Sequence, residues 1–529
     1  MLTTLLLPLV LLLQGPSEKD LFDGYLNRVR LAQQADGSYG NDSTVTADIL
    51  IGMALSPRAY RVDDGPFMRD SVTYLLEHVD EDTDNLDKEW RVALALAHVH
   101  RDRYFPTVDK ILARHEWKVD RLHSAAAAEG TPYALTGIPE DATLAETARA
   151  LADAGLMRTY GKKDQKDPLA IDQEALSAAY ARGVDALLKS RGASGYWELF
   201  EQPQPGISAL AARALLKSDS EEAKAVGISV LDWLASLQKE DGSIHDGRVA
   251  VYTTAVSVGA FIAGGREQDK EVVGRALAYL KAMQTDEGEG YTEADKFYGG
   301  IGYGGDLRPD LSNLQYALQA LHEVDTPVDD PAYQRALYFL QRSQNRSETN
   351  TEIFHDQGSD QPVRSGNDGG GIYYPGNSPA GTEKLPDGTV IARSYGSMTY
   401  ALLKCYLFAG LKADDPRVVD AVQWIADHFT LEVNPGFDPL IDPRGGFQGL
   451  YYYYLTMAQA LEASGYETLV STGGQEHHWR PELAAKLLEV QREDGTWVNA
   501  DAPRWWEGNA DLCTAYALGA LSILREPAK

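Results

Sequence analysis

The stretch Gln238-Lys239-Glu240-Asp241-Gly242-Ser243 decides how the chain is read, because it recurs. Gln491-Arg492-Glu493-Asp494-Gly495-Thr496-Trp497 repeats it almost residue for residue, and Gln34-Ala35-Asp36-Gly37-Ser38-Tyr39 is a shorter copy. Looser copies start at Gln284 and run through Gly288, Gly290 and Tyr291, and at Gln341 and Gln344, resuming at Gly369-Gly370-Gly371-Ile372-Tyr373. Trp424 opens a copy that has lost the Asp-Gly pair. Each follows an apolar, helically spaced stretch. Gly supplies the left-handed conformation that ends a helix, and the aromatic after it covers the end. A second helix rich in Ala, Thr, Gly and Tyr then begins behind a polar cap, as at Asp310-Leu311-Ser312-Asn313 and Asn509-Ala510-Asp511. Two helices of about a dozen residues and a loop fill about 45 residues, so each copy is one helical hairpin.

The two helices of a hairpin differ. The second ones (Thr253–Ala263, Ser397–Leu411, Leu450–Leu461, Leu512–Leu524) are apolar nearly all round and must be buried on several sides, whereas first ones such as Glu221–Lys239 carry charge. This contrast predicts an inner ring of apolar helices inside an outer ring of amphipathic ones. Six hairpins are well formed: 175–217, 222–264, 268–324, 330–411, 415–463 and 480–525. Residues 18–165 hold about three more, including Ala-rich helices at Ala125–Gly130 and Leu144–Ala154. The segment 161–168 reads as a linker.

With 49 basic and 78 acidic side chains the net charge is −29, so a polyanion such as nucleic acid is excluded as a partner. A composition of 44% hydrophobic and 24% charged residues excludes a disordered chain. Two cysteines, Cys405 and Cys513, exclude a disulfide scaffold. The apolar run Leu5–Leu13 precedes the first charge at Glu18. It is too short for a membrane span and fits the core of a secretory signal over residues 1–17, which predicts export and no integral span after signal removal.

The Gln-x-x-Asp-Gly-(Ser/Thr)-(aromatic) copies resemble the repeat of squalene–hopene cyclases and prenyltransferase β subunits, in the terpenoid cyclase and protein prenyltransferase superfamily. The resemblance is strongest from about residue 200 to 525. It is most similar to exported bacterial prenyltransferase and squalene oxidase repeat proteins, through Tyr298–Asn313, Arg393–Tyr400 and Gly449–Tyr454. It implies an all-α fold, an α/α toroid over 175–529 with additional N-terminal hairpins over 18–165. It implies no settled activity.

The family's catalytic signatures are incomplete. Proton-initiated cyclases use Asp-x-Asp-Asp, and the nearest string here, Asp80-Glu81-Asp82-Thr83-Asp84, has the wrong pattern and reads as a solvated loop. Prenyltransferases bind zinc through Asp-x-Cys and a His from the next repeat. Asp511-Leu512-Cys513 matches the first part, no repeat follows to supply the His, and His477 and His478 lie in the preceding loop. No metal and no cofactor is therefore expected, with Asp511 reading as a cap and Cys513 as packing.

What the pattern does predict is a mouth. Parallel inner helices bring their N-termini, with partial positive charge and free N–H groups, to one end of the ring. The loops entering that end are aromatic, which nominates Tyr298, Tyr303, Tyr373, Tyr374, Tyr395, Tyr452, Trp505 and Trp506 as ligand-binding. Asp306, Asp310 and Glu507 are the candidate catalytic acids among them. The connection from Asn345 to Ala392 is long enough to be functional. An aromatic cavity suits the binding of an isoprenoid-like hydrophobic ligand and leaves its transformation open. Two alternatives stay open. A non-catalytic toroid would bind a protein or glycan at the mouth, and a carbohydrate-active enzyme would pair Asp306 with Glu507.

Overall fold

A computed structural model describes residues 18–117, 135, 138–139, 141–160, 171–304, 308–355 and 362–526. The chain divides into two compact units, 1–62 with 67–163 and 63–66 with 164–529. The first unit contains α1 (Glu18–Arg30), α2 (Ser43–Ala54), α3 (Pro66–Glu77), α4 (Leu86–Arg114) and α5 (Leu144–Tyr160). Helix α2 packs on α4 and α5 and is buried from Thr46 to Ala54. The helix expected at Ala125–Gly130 lies outside the described residues, as does the apolar run before Glu18. No described helix is long and apolar enough to cross a membrane.

The second unit is a toroid. Its outer helices are α6 (Gln173–Ser190), α8 (Glu221–Ser236), α10 (Lys270–Ala282), α12 (Pro331–Arg342), α14 (Pro416–Asp427) and α16 (Trp479–Glu489). They alternate along the chain with the inner helices α7 (Pro205–Leu216), α9 (Ala250–Gly264), α11 (Leu311–His322), α13 (Gly396–Phe408), α15 (Leu450–Ser464) and α17 (Ala510–Arg525). Each inner helix packs on the next, and α17 packs back on α7, so six hairpins close the ring. The inner helices are buried almost end to end, as their composition requires: α13 from Gly396 to Tyr406 and α11 from Asn313 to Leu321.

The repeated motif is the clasp between hairpins. Gln238 Nε2 donates to the carbonyls of Gly242 (3.1 Å) in its own turn and Val272 (2.8 Å) on the next outer helix. Gln284 does the same to Gly299 and Ala332, and Gln344 to Gly369 and Arg417. Gln491 closes the circle, reaching Gly495 (3.1 Å) and Ala179 (2.9 Å) on the first outer helix. Gly242 has φ +89°, and a Cβ there would collide with the Arg275 carbonyl of the helix being clasped. Asp241 holds the turn by accepting from the Ser243 N–H and hydroxyl. The next residue's N–H is taken by a threonine of the inner helix: Ile244 N–H donates to Thr254 Oγ1 (2.9 Å) and Trp497 N–H to Thr514 Oγ1 (3.1 Å). The Trp497 indole covers its helix end by donating to the Leu487 carbonyl.

One expectation needs correction. In the first unit the clasping residue is Gln33, which reaches Gly37 and Phe67, and not Gln34. Counting three residues back from the Asp gives Gln33, the same spacing as Gln238 to Asp241. The long connection 345–392 carries secondary structure of its own. It contributes β3 (Ile353–His355), β4 (Pro362–Arg364), β5 (Thr382–Lys384) and β6 (Val390–Ala392), in a sheet of order β3-β4-β6-β5. An earlier hairpin, β1 (Glu198–Leu199) with β2 (Gln202–Pro203), leads into α7.

Candidate functional site

At the N-terminal end of the inner helices lies a cavity of about 390 Å³. That is within the usual size of a small-molecule site. Six of the eight aromatic residues nominated from the sequence line it: Tyr303, Tyr373, Tyr395, Tyr452, Trp505 and Trp506. The other two do not. The Tyr298 hydroxyl donates to Glu287 (2.6 Å) and its ring packs on Tyr338. Tyr374 packs edge-on against Phe297, with Lys296 and Arg308 over its ring. The Tyr373 and Tyr374 rings are 5.8 Å apart and tilted by 53°, yet only Tyr373 lines the cavity.

The floor of the cavity is a layer the loops do not supply. Tyr252 of α9, Tyr316 of α11, Tyr452 of α15 and Tyr516 of α17 meet across the lumen. The Tyr252 and Tyr516 hydroxyls are 3.0 Å apart, and the Tyr252 ring stands at 86° to Tyr316. Tyr316 lies 6.0 Å from Tyr452, and Tyr452 6.2 Å from Tyr516. Gln315 Nε2 donates to the Tyr452 hydroxyl (3.2 Å), spanning from α11 to α15. Burial raises the phenols of all four, so they remain neutral donors. Sequence reasoning missed Tyr252, Tyr316 and Tyr516 because it looked at loops. Single tyrosines inside the smallest and most apolar helices were the available signal.

The helix ends are not the free N–H array expected from the sequence. Gln204 Oε1 caps α7 through Ile207 N–H (2.7 Å), and Asn509 Oδ1 caps α17 through Leu512 N–H (2.9 Å). Asn434 Oδ1 accepts from Ser397 N–H at the start of α13. The Tyr303 carbonyl accepts from Val251 N–H at the start of α9. The remaining two caps are carboxylates. Asp310 accepts from Asn313 N–H (2.9 Å), Asn313 Nδ2 (2.8 Å) and the Ser312 hydroxyl (2.5 Å) on α11. Glu507 accepts from Tyr452 N–H (2.8 Å) on α15 and, through its other oxygen, from Asn499 Nδ2 (2.7 Å). Burial raises both carboxyls, against the pull of those hydrogen bonds, and Glu507 reaches about 7. Both candidate acids are thus engaged as helix caps. The third, Asp306, lies outside the described residues.

Strain collects at this end. Trp505 (φ +55°) and Trp506 (φ +68°) sit in left-handed backbone, and so does Val249 (φ +40°) at the start of α9. A β-branched residue there is a true outlier, and such outliers persist only where the surroundings over-determine them. Arg504 anchors the tryptophan loop through Gln448 (2.8 Å), leaving both indoles partly exposed at the rim.

The remaining sequence candidates do not converge. The Cys513 thiol is buried and donates to the Glu507 carbonyl, while Asp511 is hydrogen-bonded to Ser190. Among the described residues no three His, Cys, Asp or Glu side chains are placed to hold a metal. His478 contacts Thr468, and His477 pairs with Glu482. Asp80, in the acidic string, is exposed and paired with Lys110 and Arg114.

Residues 181–361 match the family model of the squalene-hopene cyclase C-terminal domain. The toroid is therefore squalene-cyclase-like. The match runs from within α6 to beyond β3, about a third of the chain, and with the closed double ring it supports the terpenoid cyclase and prenyltransferase α/α-toroid superfamily as the source of the fold. No curated protein matches the chain. Several solved structures are similar. The type II terpene cyclase MstE from Scytonema, solved with its substrate geranylgeranyl dihydroxybenzoate, is 15% identical at a TM-score of 0.42, covering 67% of this chain and 98% of its own. A protein from Actinoplanes is 17% identical at 0.39, covering 66% and 99%. The ent-copalyl diphosphate synthase from Streptomyces platensis is 14% identical at 0.22, covering 61% and 87%. In the cyclase-like toroid of this chain the aromatic cavity occupies the mouth of the inner ring.

Proposed function

We propose that the mouth cavity binds a neutral or cationic isoprenoid-like ligand and takes no free diphosphate at its helix ends. The observation that carries this reading is the combination of an aromatic wall with capped helix termini. Tyrosine and tryptophan faces bury an apolar chain and attract positive charge. A helix N-terminus attracts an anion only while its N–H groups are unengaged. Here a side chain or a backbone carbonyl takes an N–H at the start of every inner helix, and at α11 and α15 the acceptor is itself a carboxylate. The same engagement weakens the carbohydrate-active alternative, because Glu507 has spent both oxygens on protein donors. The match to a squalene-hopene cyclase domain supports the same ligand class. Export through residues 1–17 remains part of this reading, and N-terminal sequencing of secreted protein checks it.

Calorimetric titration with farnesol and with farnesyl diphosphate tests the proposal. Farnesol is expected to bind about tenfold tighter or better than the diphosphate. Trp506→Ala, which removes a rim indole, is expected to weaken farnesol by about tenfold. Tighter binding of the diphosphate, or farnesol affinity indifferent to Trp506→Ala, would contradict it.

A further inference from the structure

The lumen continues past the tyrosine layer. A second and larger cavity, of about 540 Å³, lies at the C-terminal ends of the inner helices. Among the described residues Tyr316 alone lines both cavities, so its ring is the partition between them. The helical period explains the arrangement. Residues three or four apart share a helix face, so each tyrosine of the layer stands over a residue of the lower cavity one turn on. Tyr252 stands over Val256, Tyr316 over Ala320, Tyr452 over Leu455 and Tyr516 over Gly519. The residues beneath are all smaller than the tyrosines above them, which leaves the lower space unfilled. The inner face of the ring is therefore one continuous track, closed part-way along by a single layer of phenol rings.

That layer is pinned. Tyr252 and Tyr516 share a hydroxyl hydrogen bond (3.0 Å), and Gln315 holds the Tyr452 hydroxyl (3.2 Å). The Tyr316 ring stands edge-on to Tyr252, with centroids 5.0 Å apart, and lies 6.0 Å from Tyr452. Swinging it aside would break aromatic contacts with neighbours that are themselves tied in place. The floor of the mouth is thus fixed at one depth.

We propose that Tyr316 is a specificity-determining residue for ligand length: its ring stops the chain of an isoprenoid alcohol held at the mouth. This rests on the mouth being the ligand site. Each isoprene unit accommodated above the layer buries apolar surface and tightens binding. A unit beyond it finds no room, because forcing carbon into a packed layer costs more than its burial returns. The mouth volume of about 390 Å³ puts the limit near the farnesyl length. The lower cavity is the space that a longer chain would occupy if the partition were removed.

The test uses the full chain, with geraniol, farnesol and geranylgeraniol titrated by calorimetry. In the natural chain affinity is expected to rise about tenfold or more from geraniol to farnesol and to rise no further at geranylgeraniol. Tyr316→Ala, which joins the two cavities, is expected to make geranylgeraniol bind about tenfold tighter than farnesol. Tyr316→Leu, a smaller opening, should shift the preference in the same direction and serves if the alanine variant does not fold. Val256→Phe refills the space beneath the layer. It should cancel the gain in the Tyr316→Ala chain and leave the preference of the natural chain as it was. Farnesol binding with an unaltered length preference in Tyr316→Ala and Tyr316→Leu would overturn this inference and leave the mouth standing as the ligand site. So would a steady gain through geranylgeraniol in the natural chain. No binding of any of the three alcohols would overturn both.

Discussion

The two ends of the lumen are built from the same six helices and differ in sign. At the N-terminal end the exposed helix dipoles are positive, and the chain meets them with acceptors: Asp310, Glu507 and the amides of Gln204, Asn434 and Asn509. At the C-terminal end the dipoles are negative, and the residues there include Arg213 and Lys217. Charge near a helix end is therefore first a structural complement. A carboxylate at the mouth is no evidence of catalysis until its caps have been counted. The informative group is the one that breaks the pattern. Glu507 is buried with its hydrogen bonds made, whereas Lys404 is buried against two amide oxygens, those of Gln319 and Gln459, with Glu323 one residue further along the network.

The largest expected effect breaks the comparison at the mouth. Glu507→Ala removes the acceptor for Tyr452 N–H and for Asn499 Nδ2, leaving buried donors unpaired. A loss of about 3 kcal/mol in denaturant unfolding is expected, because hydrogen bonds to buried charge are worth more than neutral ones. A loss below about 0.5 kcal/mol would show that the carboxylate does not hold α15.

Lys404→Met sharpens the comparison at the other end, with opposite sign. Replacing a buried amine that forms no ion pair by an apolar group of similar shape is expected to stabilise the protein at pH 7, by about 1–4 kcal/mol. The pH dependence gives a second reading. The folded value of about 7 lies below the ordinary 10.5, so between them the unfolded chain holds more protons and stability rises with pH. That rise, from about pH 7 to 10.5, is expected in the natural chain and absent from Lys404→Met. Identical pH profiles would mean that Lys404 is not buried as a charged group.

Much of the architecture was legible because the clasp is local. Gln, Asp and Gly at fixed spacing act within one turn and on the next helix, so the motif names the hairpin before any packing is known. The apolar composition of the second helices marked them as inner. The register at Gln33 was missed because two glutamines stand together and only Gln33 has the right spacing to Asp36. The mouth aromatics were visible as a group, but the direction of each ring depends on backbone detail, which is why Tyr298 and Tyr374 point elsewhere. The caps on Asp310 and Glu507 could be suspected for Asp310, which begins its helix. Glu507 caps a helix that begins 57 residues earlier in the chain and is joined only by the fold. Lys404 was readable in principle as the single charge between Gly396 and Phe408, in a helix with no outward face.

The central claim is that the aromatic mouth, and not the helix termini, selects the ligand. Native mass spectrometry of the protein purified from an isoprenoid-producing host, followed by organic extraction, tests it most directly. The account predicts a near-stoichiometric neutral or cationic isoprenoid, with occupancy lost in Trp506→Ala. A co-purifying prenyl diphosphate, or a clean unliganded mass unchanged by added farnesol, would contradict it.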